Sequence, residues 1–133
     1  MVVRCLINLR RCKVSKRIVF ESNDKRFRIL EVADEAYSLE ELKGDCYNPD
    51  VNPDIPDLAE QERKFERTVS DEGVFGYILE RWNPAPGIGF EHVDSCWGFV
   101  GMYDPKIEFN NHYIVAEMLE SITRFETKET ENE

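Results

Sequence analysis

Histidine is scarce in this chain, with two residues, and no apolar run approaches the length of a membrane span. Cys5, Cys12, Cys46 and Cys96 are too few and too scattered for a disulfide framework, and they read as reduced thiols. No cysteine or histidine pair has zinc-site spacing, so a site drawn from Cys5, Cys12, Cys46 and His92 finds no support in the pattern. The Asp-rich stretch after Gly44 lacks the glycine and glutamate that an EF-hand needs at fixed positions. Phosphate-binding glycine loops, nucleophile elbows and metalloprotease motifs are likewise missing. These absences leave the sequence with no assigned catalytic residue, cofactor or metal. The stretch from Met1 to Ile7 has no basic region followed by a sustained apolar one, so the expected location is the cytoplasm.

What is present suits one folded domain. The chain has 133 residues, 41% of them hydrophobic, with eight Phe, five Tyr and two Trp to fill a core. The expected organisation is a single domain over 1–125 and a charged tail over 126–133. Charge is unevenly placed. The first 30 residues carry nine Lys and Arg against two acids, a balance of +7; the remainder carries eight bases against 25 acids, a balance of -17. A surface of the second kind is repelled by phosphates and attracted to basic protein surfaces. The plainer account is that this charge keeps a small domain soluble.

Periodicity predicts an α+β fold: an antiparallel sheet of about five strands covered by two or three helices. Strands are expected over Val2–Leu9, Lys16–Glu21 and Arg26–Val32, the last two joined by the polar turn Ser22–Lys25. Phe27, Ile29 and Glu31 then share one face, and Arg26, Arg28 and Leu30 the other. Ser38-Leu39-Glu40-Glu41 fits a capping box that opens a short helix closed by Gly44. Asn48-Pro49-Asp50 and Asn52-Pro53-Asp54 make the following segment an ordered surface loop, because each proline bars helix and central strand. Asp57 is the expected cap of a helix from Leu58 to about Asp71, with Leu58, Phe65 and Val69 inward and Gly73 as its stop. Strands over Val74–Trp82 and Phe90–Val100 flank a Pro/Gly turn. A last helix from Asn111 to Phe125 carries the stripe Ile114, Val115, Met118, Leu119 and Ile122.

Three sets of residues could carry function. The acidic set is Asp45, Asp50, Asp54, Asp57 and Glu60, within a longer array from Asp34 to Glu66 that suits a basic protein partner. The basic set is Arg10, Arg11, Lys13, Lys16 and Arg17, with Phe20 and Phe27 nearby as possible stacking surfaces for nucleic acid. The many acids elsewhere weigh against nucleic acid as the partner. The third set is Cys96 as nucleophile, His92 or His112 as base and Asp94 as orienter. On a regular strand His92, Asp94 and Cys96 share a face, with neighbours about 6.5–7 Å apart. No glycine-rich elbow precedes the cysteine, and the plainer account packs Cys96, Trp97 and Phe99 into the core.

The segments Glu72–Glu80 and Val93–Gly101, the second containing Ser95-Cys96-Trp97-Gly98-Phe99, resemble a small uncharacterised group of proteins carried by phages, plasmids and other mobile elements. Leu42-Lys43-Gly44-Asp45 and Asn52-Pro53-Asp54 extend the resemblance, which spans roughly 38–125 and leaves the basic N-terminal part unmatched. It transfers no activity and no site residue. It implies a bacterial cytoplasm, where small acidic proteins often block host nucleases by mimicking DNA. The leading expectation is therefore a non-enzymatic inhibitor of host restriction or CRISPR-type defence that binds a basic host protein. A cysteine-dependent enzyme or metal site and a nucleic-acid-binding accessory protein are the alternatives.

Overall fold

The structure, a computed structural model, describes residues 16–107 and 112–131. Strands β1 (Lys16–Glu21) and β2 (Phe27–Ala33) form the expected hairpin. Their turn is held by side chains: Ser22 Oγ donates to Asp24 Oδ1 at 2.7 Å and accepts the Phe27 N–H at 3.0 Å. Lys25 takes the left-handed conformation that the turn requires, with φ 62°. The Asp24 carboxyl, bound by the Arg26 guanidinium and backbone, is held down at about 2. β3 (Val74–Asn83) and β4 (Gly89–Val100) complete an antiparallel sheet in the order β1-β2-β3-β4. The strand expected over Val2–Leu9 lies outside the described residues, so four strands stand here against the five expected.

The register decides the faces. Ile29 pairs with Leu79, Glu31 with Tyr77 and Ala33 with Phe75, so these side chains project to one side. Helix α3 (Tyr113–Glu131) lies on that side and inserts Ile114, Val115, Met118 and Ile122 against Phe27, Ile29, Phe75, Tyr77 and Leu79. Burying each such side chain is worth about 1.5–3 kcal/mol, which makes this layer the main source of stability. Leu119, the fifth residue of the expected stripe, is only half-buried at the margin.

The opposite side is organised around a glycine. Gly76 projects there, and a Cβ on it would fall inside the Trp97 indole. Helix α1 (Leu39–Lys43) reaches this side through Leu42, whose Cδ2 would lie 3.6 Å from a Cβ at Gly98. Ser38 caps α1 as expected, accepting the Glu41 N–H at 3.3 Å. Helix α2 (Leu58–Glu72) lies against β4 and buries Val69. Lys43 ties the two helices, at 3.1 Å from Glu62 and 3.2 Å from Glu66.

Two expectations require correction. Asp57 does not cap α2 with its side chain; its φ of 57° is left-handed, whereas a capping carboxylate needs extended backbone to reach the first-turn N–H groups. The segment after Phe125, expected as a charged tail beyond the helix, continues α3 to Glu131. Arg26 pairs with Glu129 and pins the last turns to the β1–β2 hairpin.

Candidate functional site

The loop between α1 and α2 is built from its asparagines. Asn48 Oδ1 accepts the Asp50 N–H at 2.9 Å, and Asn48 O accepts the N–H groups of Val51 and Asn52. Asn52 Nδ2 donates to the carbonyls of Asp45 at 3.1 Å and Cys46 at 2.9 Å. These amides brace residues 45–52 from within, while Pro49, Pro53 and Pro56 limit the loop's freedom. Tyr47 is tied to α2 by its ring, 5.6 Å from that of Phe65.

Among the described residues, the loop's carboxylates have no structural task. Asp45, Asp50, Asp54 and Asp57 are all exposed, and none has a cationic partner among the described residues. Glu60 differs. Arg63 donates to it at 2.7 and 3.1 Å and holds its carboxyl below the usual range, so it is partly neutralised at home. Glu62 and Glu66 are likewise engaged by Lys43. The unengaged charge is thus concentrated in the loop rather than spread along α2.

Sequence reasoning missed two residues of this loop. Val51 is 54% exposed and Ile55 40% exposed, each beside an aspartate. An ordered loop that shows water apolar side chains ringed by charge resembles the mixed surface of protein interfaces. The signal was legible as apolar residues set between Pro-Asp pairs.

The basic set divides. Arg10, Arg11 and Lys13 lie outside the described residues, and Lys16 is exposed. Arg17 is committed to the fold. Its Nε and Nη2 each lie 3.1 Å from the Glu31 carboxylate, and Nη2 also donates to Tyr103 O at 2.7 Å. Glu31 is fully buried and further accepts the Tyr77 hydroxyl at 2.8 Å and the Tyr103 N–H at 2.6 Å. Burial, and then the bond to Glu31, push the Tyr77 phenol well above its ordinary value. Phe27 is fully buried and Phe20 half-buried against the core, so neither offers a face to a base.

The cysteine set is pulled apart by a bulge. Asp94 pairs with Leu79 and Cys96 with Tyr77, but His92 pairs with Glu80, because Val93 is an extra residue in the ladder. Asp94 and Cys96 therefore face α3 while His92 projects to the other side, contrary to the shared face of a regular strand. Cys96 is half-buried and packs against the core cluster. His112 is engaged elsewhere: its Nε2 lies 3.0 Å from Gly101 O, and its ring lies tilted against those of Tyr77 and Phe99. Among the described residues, no group of three or more His, Cys, Asp or Glu side chains is placed to hold a metal ion. Nor is any described helix long and apolar enough to cross a membrane.

No protein-family model, no curated protein and no solved structure matches this chain.

Proposed function

We propose that this protein acts by binding another protein through the loop of residues 45–57, without catalysing a reaction. One observation carries the reading: Asp45, Asp50, Asp54 and Asp57 are exposed and, among the described residues, unengaged, on a loop braced by its asparagines that also presents Val51 and Ile55. From Asp34 to Glu60 the sequence holds nine acids and a single base, Lys43. Such a surface raises the encounter rate with a basic partner, and the apolar pair supplies contact area that salt does not screen. A braced loop loses little conformational freedom on binding, which favours affinity.

The partner that fits is a host protein with a basic surface, such as a nuclease or a CRISPR effector, in a bacterial cytoplasm. The protein would then be a DNA mimic that inhibits host defence for a phage or another mobile element. The charge pattern and the mobile-element resemblance support this finer reading.

The test is affinity capture of the tagged protein from bacterial lysate, with and without nuclease, read by mass spectrometry. A stoichiometric protein partner that survives nuclease treatment and is lost when Asp45, Asp50, Asp54 and Asp57 are changed to Asn is the expected result. Recovery that depends on nucleic acid would transfer the function to Lys16 and the basic residues before it.

A further inference from the structure

On the other side of the sheet a groove runs between α3 and the edge strand β4. Two hollows of about 590 and 330 Å3 meet in it and share Asp94, Ser121 and Arg124. The larger has an apolar lining of Leu79, Val93 and Phe125, and its volume lies in the range of ligand sites. The charges are sorted by position. Lys128 lines the larger hollow, Glu117 and Glu120 the smaller, and Asp94 and Arg124 stand in the shared middle.

Among the described residues these charges are not consumed by the fold. Arg124 donates only to Ser121 Oγ, at 3.0 Å, and neither it nor Lys128 has a carboxylate partner among the described residues. Among the described residues, Asp94 accepts only the N–H of Ser95, and Glu117 and Glu120 pair with no cation. β4 is the last strand of the sheet, so among the described residues its outer backbone groups have no ladder partner. A strand edge with no partner among the described residues, beside a hollow with apolar lining, is the setting in which an extended peptide adds as a further strand.

We propose that this groove binds a short peptide with free termini and an apolar side chain. The ammonium is held by Asp94 with Glu117 and Glu120, the carboxylate by Arg124 and Lys128, and the side chain by Leu79, Val93 and Phe125. The spacing fits the length. At about 1.5 Å of rise per residue, Glu120 and Arg124 stand about 6 Å apart along the α3 axis, and Glu117 and Lys128 about 16 Å. An extended chain covers about 3.3–3.6 Å per residue, so two to four residues reach between the two ends. A simple organic anion would meet the three carboxylates unpaired.

The test is amide chemical-shift titration of the full chain with the tripeptide leucyl-valyl-leucine, its N-acetylated form and its C-amidated form. Saturable shifts confined to Val93–Ser95 and Glu117–Lys128 are expected, with each blocked form binding about fivefold more weakly, the scale of one exposed charge pair. The double variant Arg124→Gln/Lys128→Gln changes only exposed side chains and keeps the fold. It should weaken the free and acetylated peptides while leaving the amide unchanged. Asp94→Asn should do the converse, sparing the acetylated form. The proposal is overturned if millimolar peptide gives no saturable shift, if the blocked forms bind as tightly as the free one, or if the variants weaken all three equally.

Discussion

Glu31 and the aspartates of the 45–57 loop are the same kind of group put to opposite uses. Glu31 is fully buried, and both its oxygens are engaged, by Arg17, Tyr77 and Tyr103. Asp45, Asp50, Asp54 and Asp57 are exposed with no cationic partner among the described residues, on a loop braced by Asn48 and Asn52. A carboxylate taken out of water must have its lone pairs met or the fold loses free energy; one left in water need not contribute to the fold at all. The inner carboxylate therefore belongs to stability, and the outer ones are free for a partner.

That contrast breaks hardest at Glu31. Glu31→Ala should cost about 3 kcal/mol, measured by urea denaturation, because Arg17 and the Tyr77 hydroxyl lose their shared acceptor. The figure sits at the lower end for a buried pair because the Arg17 side chain is 44% exposed and can rehydrate. Packing on the other side of the sheet comes next. Gly76→Ala should cost about 2 kcal/mol, since the new methyl must displace the Trp97 ring, and the indole fluorescence should shift with it.

Tyr77→Phe sharpens the same contrast with a smaller effect, about 1 kcal/mol at neutral pH, because Glu31 keeps Arg17 and the Tyr103 N–H. Its pH dependence follows from the raised phenol. The neutral phenol's contribution is whole below the ordinary value of 10.0 and falls away as pH rises above it. The wild type should therefore lose stability at alkaline pH faster than Tyr77→Phe, in denaturation curves taken on both sides of pH 10.0. Smallest of all, changing Asp45, Asp50, Asp54 and Asp57 together to Asn should move stability by no more than about 0.5 kcal/mol.

Much of the fold was legible because it was specified locally. The polar turn Ser22–Lys25, the Ser38 cap, the stop at Gly73 and the inward stripe of α3 each depend on residues within a few positions of one another. The Phe27, Ile29, Glu31 alternation even placed Glu31 on the same face as Phe27 and Ile29, which the structure buries. What alternation could not supply was its partners, which lie 14, 46 and 72 residues away in sequence. The Val93 bulge was equally hidden: one extra residue sends His92 to the far face, and no local pattern marks it. The left-handed backbone of Asp57 and the continuation of α3 past Phe125 depend on what surrounds them, the second on Arg26 pairing with Glu129. For the site, the aspartates were visible as composition. Their freedom from partners, and the exposure of Val51 and Ile55, required the loop's own hydrogen bonds.

The most direct test is the affinity for the captured partner, measured across a range of salt concentrations for the wild type and for the variant with Asp45, Asp50, Asp54 and Asp57 changed to Asn. The account predicts wild-type binding that weakens steeply with salt, and a variant that binds at least tenfold more weakly at low salt with a flattened dependence. Equal affinity and an unchanged salt dependence in the two proteins would contradict it.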